Sequence, residues 1–298
     1  MPLIKTTVIV NPDSKPRRIN KYLEPVLSLL QSNNFKISTY FTCGPGDGYV
    51  FAEQALDNGA EVIIVAGGDG TVNEVLNAIV GNDVILGILP FGGSNVLARE
   101  MGMPLNPIKA AELILKKNVK NIDLGVINNR YFSMMASCGY DAYAVGRTSR
   151  EIKKILHRYA YIWAGIKDFM GYRPTLIEVD LDDGTTKEYA SFVVVSNTHF
   201  YGGSYQLTPF ARIDDGLLDI CLYQGRYQLG LVHFVFNMLS QKHLTMSNVK
   251  YYRAKSIQLT SKKHTLVQVD GDILGALPMK AQIVPTALKV FCSQSGSI

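Results

Sequence analysis

The chain has 298 residues, of which 47% are hydrophobic and 18% are charged, a composition typical of a globular protein with one large domain or two ordinary ones. Its formal net charge of +5 suits an anionic membrane, a nucleotide or a nucleic acid and does not choose among them. The four cysteines are far apart in sequence with no Cys-x-x-Cys pair, which argues against a zinc site or a disulfide framework and favours the cytosol.

The N-terminal residues run directly into a strand-like segment, so we expect no signal peptide. The apolar run Leu229–Leu239 comes nearest to a membrane span, but it is too short and contains His233 and Asn237. We therefore expect a cytoplasmic protein that meets a membrane only peripherally, from its surface.

Strand and helix patterns alternate along the first ~125 residues, which predicts a mostly parallel sheet covered by helices. The predicted strands are 3–10, 36–41, 61–66 and 84–89. The predicted helices are 19–32, 49–58 and 72–80, and another helix opens at 96–101.

After Asp123 the pattern changes to strands separated by turn signals, which predicts an antiparallel β-sandwich. The predicted strands are two within 125–135, then 176–181, 189–196, 217–223, 251–260 and 266–270, with 176–181 and 189–196 paired as a hairpin. We therefore predict an α/β nucleotide-binding domain over 1–125 and a β-sandwich acceptor domain over 126–298, whose last strand could return to the first domain. A cleft between the two domains is the natural place for an active site.

A glycine-rich run, Gly67-Gly68-Asp69-Gly70-Thr71, joins the predicted strand 61–66 to the predicted helix 72–80. Glycines let the backbone approach a ligand closely, and a helix N-terminus presents free N–H groups to an anion. The run therefore predicts a phosphate site, with a tight turn capped by Asp69 or Thr71 as the alternative. It is not a P-loop, because no Gly-Lys-Ser/Thr follows, and it is not a Rossmann fingerprint, because Asn73 stands at the third glycine.

A second run of small residues, Phe91–Asn95, joins the predicted strand 84–89 to the next predicted helix. Ser94 and Asn95 are candidate capping or ligand groups. Alone, this run would favour a structural turn. Two such loops at successive strand ends of one sheet predict a nucleotide bound across those ends.

These residues carry a family resemblance. Gly-Gly-Asp-Gly-Thr-Val-Asn-Glu at 67–74 and Leu-Pro-Phe-Gly-Gly-Ser-Asn-Val-Leu-Ala-Arg at 89–99 resemble the catalytic domain of the diacylglycerol kinase family, which includes bacterial soluble lipid kinases and is related to sphingosine and ceramide kinases. Further matching motifs follow in order along nearly the whole chain, at 11–12, 122–125, 129–132, 201–203, 214–219 and 269–272. The ordered set is more specific than Gly-Gly-Asp-Gly alone, which NAD kinases and phosphofructokinases share.

The resemblance implies an ATP- and Mg²⁺-dependent lipid kinase of phospholipid metabolism. It implies that the nucleotide is lined by Asn11, Pro12, Asp13, Ser14, Lys15 and Thr42, and that its phosphates are held by Gly68, Asp69, Gly70, Thr71, Val72, Asn73 and Glu74. The second loop would add Gly93, Ser94 and Asn95. Asp69 would lie near the catalytic magnesium, with Asp123 supporting that magnesium network.

The chain departs from the family pattern in the second loop. Gly93 stands where relatives usually have threonine or serine, and Val96 stands where they often have aspartate. These changes put the nucleotide affinity and preference in question, although Ser94 could replace the missing hydroxyl.

Phosphoryl transfer to an alcohol also needs a group that takes the hydroxyl proton. Val269-Asp270-Gly271-Asp272 offers carboxylates at a strand end, and by itself it also fits an ordinary Asp-Gly turn. The family has Asp-Gly-Glu here, so the resemblance implies that Asp272, with a shorter carboxylate, is the general base.

The acidic run 214–219 suits a hard cation or a solvated loop. By resemblance, a structural magnesium would use the carboxylate of Asp215 and the main-chain oxygens of Arg212 and Leu217.

Residues 148–170 have the spacing of an amphipathic helix, with a basic cluster at its start. The helix could pack on the core, or it could touch anionic lipid head groups near 147–170.

Two other functions remain open at this point, a kinase acting on a soluble substrate such as NAD and a non-catalytic nucleotide-binding regulator. The second loop and Asp272 argue against the first of these, and the retained Asp69, Asp123 and Asp272 argue against the second. We expect a lipid substrate at a membrane surface and no nucleic-acid partner, because no nucleic-acid-binding module is present. The oligomeric state stays open, with a homodimer among the possibilities.

Overall fold

The computed structural model describes residues 2–147, 172–182, 184–201 and 205–294. The chain divides into two compact units, Met1–Asp123 with Pro285–Ile298, and Leu124–Val284. The predicted basic helix at 148–170 lies outside the described residues. Of the basic region 147–170, only Arg147 is described, as the last residue of a preceding helix.

The first unit alternates strands and helices. Its elements are β1 (Ile4–Val10), α1 (Pro16–Gln31), β2 (Phe35–Phe41), α2 (Asp47–Asp57), β3 (Val62–Gly67), α3 (Asp69–Ile79), β4 (Ile85–Pro90), α4 (Val96–Glu100) and α5 (Pro107–Leu115). The sheet order is β2-β1-β3-β4, and each neighbouring pair is parallel. All six residues of β3 are buried, as expected for a parallel strand covered on both faces. The predicted α/β architecture is confirmed.

The sequence analysis missed α5. The residues at its start are nonetheless typical of a helix N-terminus. The Asn106 side chain accepts hydrogen bonds from the amides of Ile108 and Lys109, and Pro107 occupies the first helical position. Asn-Pro followed by an apolar run was the available signal.

The register brings the carboxyl ends of the four parallel strands to one edge. Val10 lies opposite both Phe41 and Ala66, and Gly67 lies opposite Pro90. The strand order also reverses here, because the chain leaves β1 for β2 on one side and returns to β3 on the other. In open parallel sheets a ligand binds in the crevice at such a reversal.

The second unit is built mainly of antiparallel strands. Two strands cross the boundary between the units, β5 (Val119–Ile127) after Asp123 and β18 (Met279–Phe291) after Val284. The other elements are β6 (Arg130–Phe132), β7 (Met135–Cys138), α6 (Tyr140–Arg147), β8 (Ile177–Leu181), β9 (Thr186–Ala190), β10 (Phe192–Ser196), β11 (Phe200–Tyr201), β12 (Tyr205–Gln206), β13 (Leu218–Tyr223), α7 (Gln228–Leu239), a 3₁₀ helix (His243–Thr245), β14 (Val249–Ala254), β15 (Ser256–Ser261), β16 (Leu266–Val269) and β17 (Asp272–Ala276).

These strands form two antiparallel layers. One layer has the order β14-β13-β10-β7-β16-β17, and the other joins the start of β18 to β15, β8 and β9. One apolar core holds side chains of both layers, among them Val193 and Ile220 from the first and Val179 and Ile257 from the second. The predicted antiparallel sandwich is confirmed.

Two runs that were each predicted as one strand, 189–196 and 251–260, each contain parts of two strands in the structure. The run 189–196 breaks at Ser191, and the run 251–260 breaks at Lys255, so the chain passes from one layer to the other at each point. At the second corner the carboxylate of Asp182 accepts hydrogen bonds from the amides of Lys255 and Ser256. The corner therefore depends on a residue more than seventy positions away, which a local β-rich pattern cannot show.

Candidate functional site

Four chain segments meet the carboxyl edge of the parallel sheet. Asn11–Lys15 follows β1, Thr42 follows β2, the glycine loop (67–71) lies at the end of β3 and the second loop (91–95) follows β4. The structure therefore brings together, at one edge of one sheet, segments that span residues 11 to 95 of the sequence.

The two glycine-containing loops touch through their backbones. The amides of Phe91 and Gly92 both donate to the carbonyl oxygen of Gly67, at 3.1 and 3.0 Å. A Cβ atom added to Gly92 would lie only 2.4 Å from the Cα atom of Gly68. Only glycine fits at this position, and its absence of a side chain lets the two loops form one continuous backbone surface.

The start of α3 is open to an anion. Gly68 precedes the helix in an extended conformation and supplies no side-chain cap. The amide of Val72 makes the bond to the carbonyl oxygen of Gly68, so the amides of Gly70 and Thr71 lie ahead of it in the uncapped first turn. An uncapped helix N-terminus offers free N–H groups and the positive end of the helix dipole to a phosphate.

Asn11 ties the segment after β1 to the glycine loop. Its side-chain nitrogen donates to the hydroxyl of Thr71 at 3.0 Å, and its side-chain oxygen accepts from the amide of Asp13 at 3.0 Å. The segment ends at Lys15, the residue before α1. Partial burial lowers the pKa of the Lys15 ammonium, and the nearby positive charge of Arg18 lowers it further. These contacts bridge β1 and β3, the two strands between which the order reverses.

Asp69 connects the glycine loop to the second loop. Its carboxylate accepts a hydrogen bond of 2.7 Å from the amide of Val96, the first residue of α4. Burial raises the pKa of this carboxyl, while hydrogen bonds from the amides of residues 95–97 act in the opposite direction. Asp69 thus caps a neighbouring helix in this structure. Its predicted place in a magnesium network is not tested by these contacts and stays a prediction.

Glu74 has a similar structural partner. Its two carboxylate oxygens accept from the amides of Gly46 and Gly48, at 2.9 and 3.0 Å, at the beginning of α2. The neighbouring side chains of Val72 and Asn73 are buried. Three of the residues predicted to hold the phosphates, Val72, Asn73 and Glu74, are therefore buried or bonded within the protein. Gly70, at the start of α3, is exposed.

The remaining predicted nucleotide residues lie nearby in the same unit. Thr42 is buried, and its amide donates to the carbonyl oxygen of Val10. In the second loop the carbonyl oxygen of Ser94 accepts from Arg99 Nε at 2.9 Å, and Asn95 Nδ2 donates to the carbonyl oxygen of Gly92 at 3.0 Å.

Asp123 is buried near the end of the first unit. Its carboxylate accepts a hydrogen bond of 2.7 Å from the amide of Thr286 on β18. This contact ties β5 to the returning C-terminal strand. The role of Asp123 in a magnesium network stays a prediction.

In the second unit, Asp270 and Gly271 form the two-residue turn between β16 and β17. Both have positive φ, 48° and 90°, as tight hairpin turns require. The Asp270 carboxylate accepts three hydrogen bonds of 2.9 to 3.1 Å, which come from the amides of residues 133–135. The turn is therefore anchored to residues 133–135, at the start of β7.

Gln268 holds the same turn from the other side. Its side-chain oxygen accepts from the Gly271 amide at 2.8 Å, and its side-chain nitrogen donates to the Ser137 hydroxyl and to the Asp141 carboxylate, at 2.8 and 3.1 Å. Asp141 also accepts from the hydroxyls of Ser137 and Tyr201, both at 2.6 Å. Burial raises the pKa of Asp141, and these donors oppose the rise.

Asp272 stands at the exposed end of this rigid turn. Its side chain is 60% exposed, and one of its carboxylate oxygens lies 3.5 Å from the guanidinium of Arg130. The sequence identified Asp272, and it named Asp270 as a second carboxylate of the same run. It did not show how the turn is fixed, because the amides that Asp270 binds, and the Ser137 and Asp141 side chains that Gln268 binds, lie more than 125 positions away. The Asp-Gly dipeptide was a signal for the turn itself.

The predicted structural magnesium site has another cation in it. The Asp215 carboxylate pairs with the guanidinium of Arg253, and its other oxygen accepts from the Leu217 amide at 3.2 Å. Arg212 pairs with Asp214 at 3.9 Å. Within the described residues, no group of three or more His, Cys, Asp or Glu side chains could hold a metal ion. The use of Arg212, Asp215 and Leu217 as ligands stays a prediction.

Comparison with known families gives two matches that together cover most of the chain. A model described as the diacylglycerol kinase catalytic domain matches residues 5–127. A model described as the YegS C-terminal NAD kinase beta sandwich-like domain matches residues 134–292. The first match contains the glycine loop and the second contains the Asp270-Gly271 turn.

Curated relatives resemble the chain over nearly its full length. A diacylglycerol kinase of Staphylococcus saprophyticus is 30% identical over 276 residues, covering 92% of this chain and 90% of the relative. A diacylglycerol kinase of Bacillus subtilis is 28% identical over 277 residues, covering 92% and 91%. Among solved structures, one described as a diacylglycerol kinase from Bacillus anthracis has a TM-score of 0.77 at 22% identity and covers 99% of both chains.

Proposed function

Because the chain belongs to the diacylglycerol kinase family, we propose that it transfers the γ-phosphoryl group of ATP to a hydroxyl group of a diacylglycerol-like lipid at a membrane surface. The observation that carries the proposal is the backbone surface of the two touching glycine loops, next to the uncapped N-terminus of α3 and at the strand reversal of a parallel sheet.

The glycine loops would bind the phosphates through backbone amides. The amides of Gly70 and Thr71 would donate to phosphate oxygens, and Lys15 would add a positive charge at the neighbouring segment. Asp69 would contribute by holding α4 and the second loop against the glycine loop, since its carboxylate accepts the Val96 amide. Positioned donors of this kind are the main source of catalysis in phosphoryl transfer.

Magnesium fits this site as a cation that enters with ATP. The described residues form no cage of three or more acidic, His or Cys ligands, and Mg²⁺ commonly takes most of its ligands from phosphate oxygens and water. Asp123 would be the carboxylate that supports its water shell. When bound, the ion would neutralise charge that develops on the phosphate oxygens.

Asp272 would act as the general base. It is exposed enough to meet an acceptor, and its backbone is fixed by the bonds of Asp270 and Gln268 to the turn. The lipid hydroxyl would attack the γ-phosphorus while its proton passes to the Asp272 carboxylate, and ADP would leave with the electrons of the broken phosphorus–oxygen bond.

The proposal is tested by incubating the purified protein with γ-labelled ATP and Mg²⁺ in mixed micelles that contain diacylglycerol. Labelled phosphate should appear in the lipid phase, and a metal chelator should abolish the transfer. Parallel reactions should offer a sphingoid base, a total lipid extract and NAD. Label in NAD alone would contradict the proposal, and so would the absence of label in every lipid.

A further inference from the structure

One face of α7 is apolar and exposed to solvent. Leu229, Val232, Phe236 and Leu239 recur at helical spacing, with 81%, 48%, 69% and 39% of their surfaces exposed. The opposite face, with Leu231, Phe234 and Met238, is buried against the six-stranded sheet. Packing on the core therefore accounts for only one side of this helix.

The exposed face is a continuous stripe. Single exposed apolar residues are common on soluble proteins, whereas contiguous apolar patches mark surfaces that meet a partner or a membrane. Tyr227, which precedes the helix and is 80% exposed, extends the stripe at its N-terminal end. We call this stripe, Tyr227 with the four α7 residues, the α7 face.

A positively charged residue flanks the α7 face at each end. Arg226 and Lys242 are exposed just before and just after the helix. The sequence contains seven lysines and arginines and no aspartate or glutamate from Ile220 through Val269, and two of the seven, Lys250 and Arg253, pair with acidic residues outside that range. An apolar stripe flanked by cations, on a segment without acidic residues, is complementary to a surface with anionic groups outside and an apolar layer beneath them.

The helix is too short to cross a bilayer. Twelve residues extend about 18 Å, against about 30 Å for the hydrocarbon layer. Among the described residues no helix combines the length and the apolar content of a membrane span. The helix can, however, lie in the plane of the interface with its apolar side inserted.

We propose that the α7 face docks the protein on an anionic lipid bilayer, with the apolar residues in the interface and Arg226 and Lys242 at the head groups. The proposal deepens the proposed function, on which it rests, because a kinase with a membrane lipid as acceptor has to reach that lipid at the bilayer surface. It assigns a membrane contact to described residues outside the region 147–170.

The test measures binding of the full chain to vesicles without ATP, so that it does not depend on kinase activity. Vesicles are made of equal parts of phosphatidylglycerol and phosphatidylcholine, or of phosphatidylcholine alone, and bound protein is measured by flotation. The Leu229→Ser and Phe236→Ser double variant should bind the anionic vesicles about 10- to 100-fold more weakly, because two inserted apolar side chains are lost. Circular dichroism should show an unchanged fold, since both side chains lie outside the core.

A matched control replaces two other apolar residues of the second unit, each of which is at least half exposed. Leu176 and Tyr189 are 50% and 53% exposed, and the Leu176→Ser and Tyr189→Ser double variant should bind like the unmodified chain. The Arg226→Gln and Lys242→Gln double variant should lose about fivefold per charge on anionic vesicles and nothing on neutral ones.

Unchanged vesicle binding by the α7 double variant would overturn the proposal. It would also be overturned if that variant converted a dimer to a monomer in analytical ultracentrifugation while vesicle binding persisted, since the α7 face would then join two copies of the chain. If no lipid is phosphorylated but α7-dependent vesicle binding is present, the proposed function fails and the docking surface stands.

Discussion

At the residue scale, the two aspartates of the Asp-Gly-Asp turn have separate tasks. The Asp270 carboxylate accepts hydrogen bonds from the three amides of residues 133–135, whereas Asp272 is exposed and lies next to Arg130. Two identical side chains two positions apart therefore allow a matched test, because one is bonded to the backbone of the fold and the other is exposed.

We predict that Asp272→Asn lowers the turnover of lipid phosphorylation by about 100-fold or more, the range for loss of a general base, with an unchanged midpoint of thermal unfolding. The exposed position gives little reason for a change in stability beyond about 0.5 kcal/mol. Steady-state kinetics with separate kcat and KM for ATP, together with thermal unfolding, measure both effects. Near-normal kcat in this variant would exclude Asp272 as the base.

We predict the opposite result for Asp270→Asn. Asparagine tolerates the positive φ of this position, so the backbone is not strained. The side-chain NH2 group of asparagine is a donor and would face backbone N–H groups that now donate to a carboxylate oxygen. The free energy of unfolding should therefore fall by about 1 to 3 kcal/mol. Urea unfolding followed by circular dichroism measures the change, and a stability equal to that of the unmodified chain would show that the three bonds contribute nothing.

At the element scale, the predicted phosphate site depends on two glycines with different surroundings. Gly92 touches the Gly68 backbone, whereas a Cβ atom on Gly70 would meet no protein atom within 4 Å. Gly92 is therefore required by the contact between the loops, and Gly70 leaves open space at the start of α3, where we place a phosphate.

We predict that Gly70→Ala keeps the stability of the protein, since alanine is also the better helix former, and lowers the affinity for ATP by filling the phosphate space. Gly92→Ala should lower both stability and ATP affinity, because the added Cβ atom forces the loops apart. Calorimetric titration with ATP and thermal unfolding separate the two effects. If Gly70→Ala bound ATP normally, the N-terminus of α3 would not be the phosphate site.

The element scale also shows what the sequence can predict. The glycine loops, the parallel strands and the Asp-Gly turn were predictable because each is specified by neighbouring residues. The partners of Asp69 and Asp270 were not, because the amides that they bind lie 27 and about 135 positions away. The same limit explains the two corners at Ser191 and Lys255, where a continuous β-rich sequence changes layers.

At the scale of the whole molecule, the family and the two-part architecture were predictable from an ordered set of motifs along the chain. The sequence also predicted that the last strand could return to the first domain, but it did not show the residue at which the chain does so. The first unit regains the segment from Pro285 onward, and Asp123 accepts the Thr286 amide within it. A strand that returns after 160 residues carries no local signature of the unit that it joins.

The stability of the whole molecule should depend on pH through the buried side chain of His243. The ring is buried under α7, with Nε2 2.8 Å from the carbonyl oxygen of Leu207. Because a carbonyl oxygen only accepts, Nε2 carries the hydrogen, and in the described structure the buried Nδ1 has no partner. Protonation would therefore place an unpartnered N–H and a positive charge in an apolar site.

Burial lowers the pKa of His243, and the Leu207 carbonyl opposes the decrease. An unfolded chain would bind a proton at this histidine below pH about 6.5, while the folded chain stays neutral. The contribution of His243 to stability is therefore present above that pH and is lost as the pH falls toward the folded-state pKa.

We predict that the free energy of unfolding decreases as the pH is lowered from about 7.5 to about 5.5, and that His243→Gln makes this decrease smaller. Glutamine retains an N–H donor for the Leu207 carbonyl but does not titrate. The exposed His264 supplies the matched control, since His264→Gln should leave the pH dependence unchanged. Urea unfolding at several pH values measures all three proteins, and equal slopes for His243→Gln and the unmodified chain would assign the acid sensitivity to other groups.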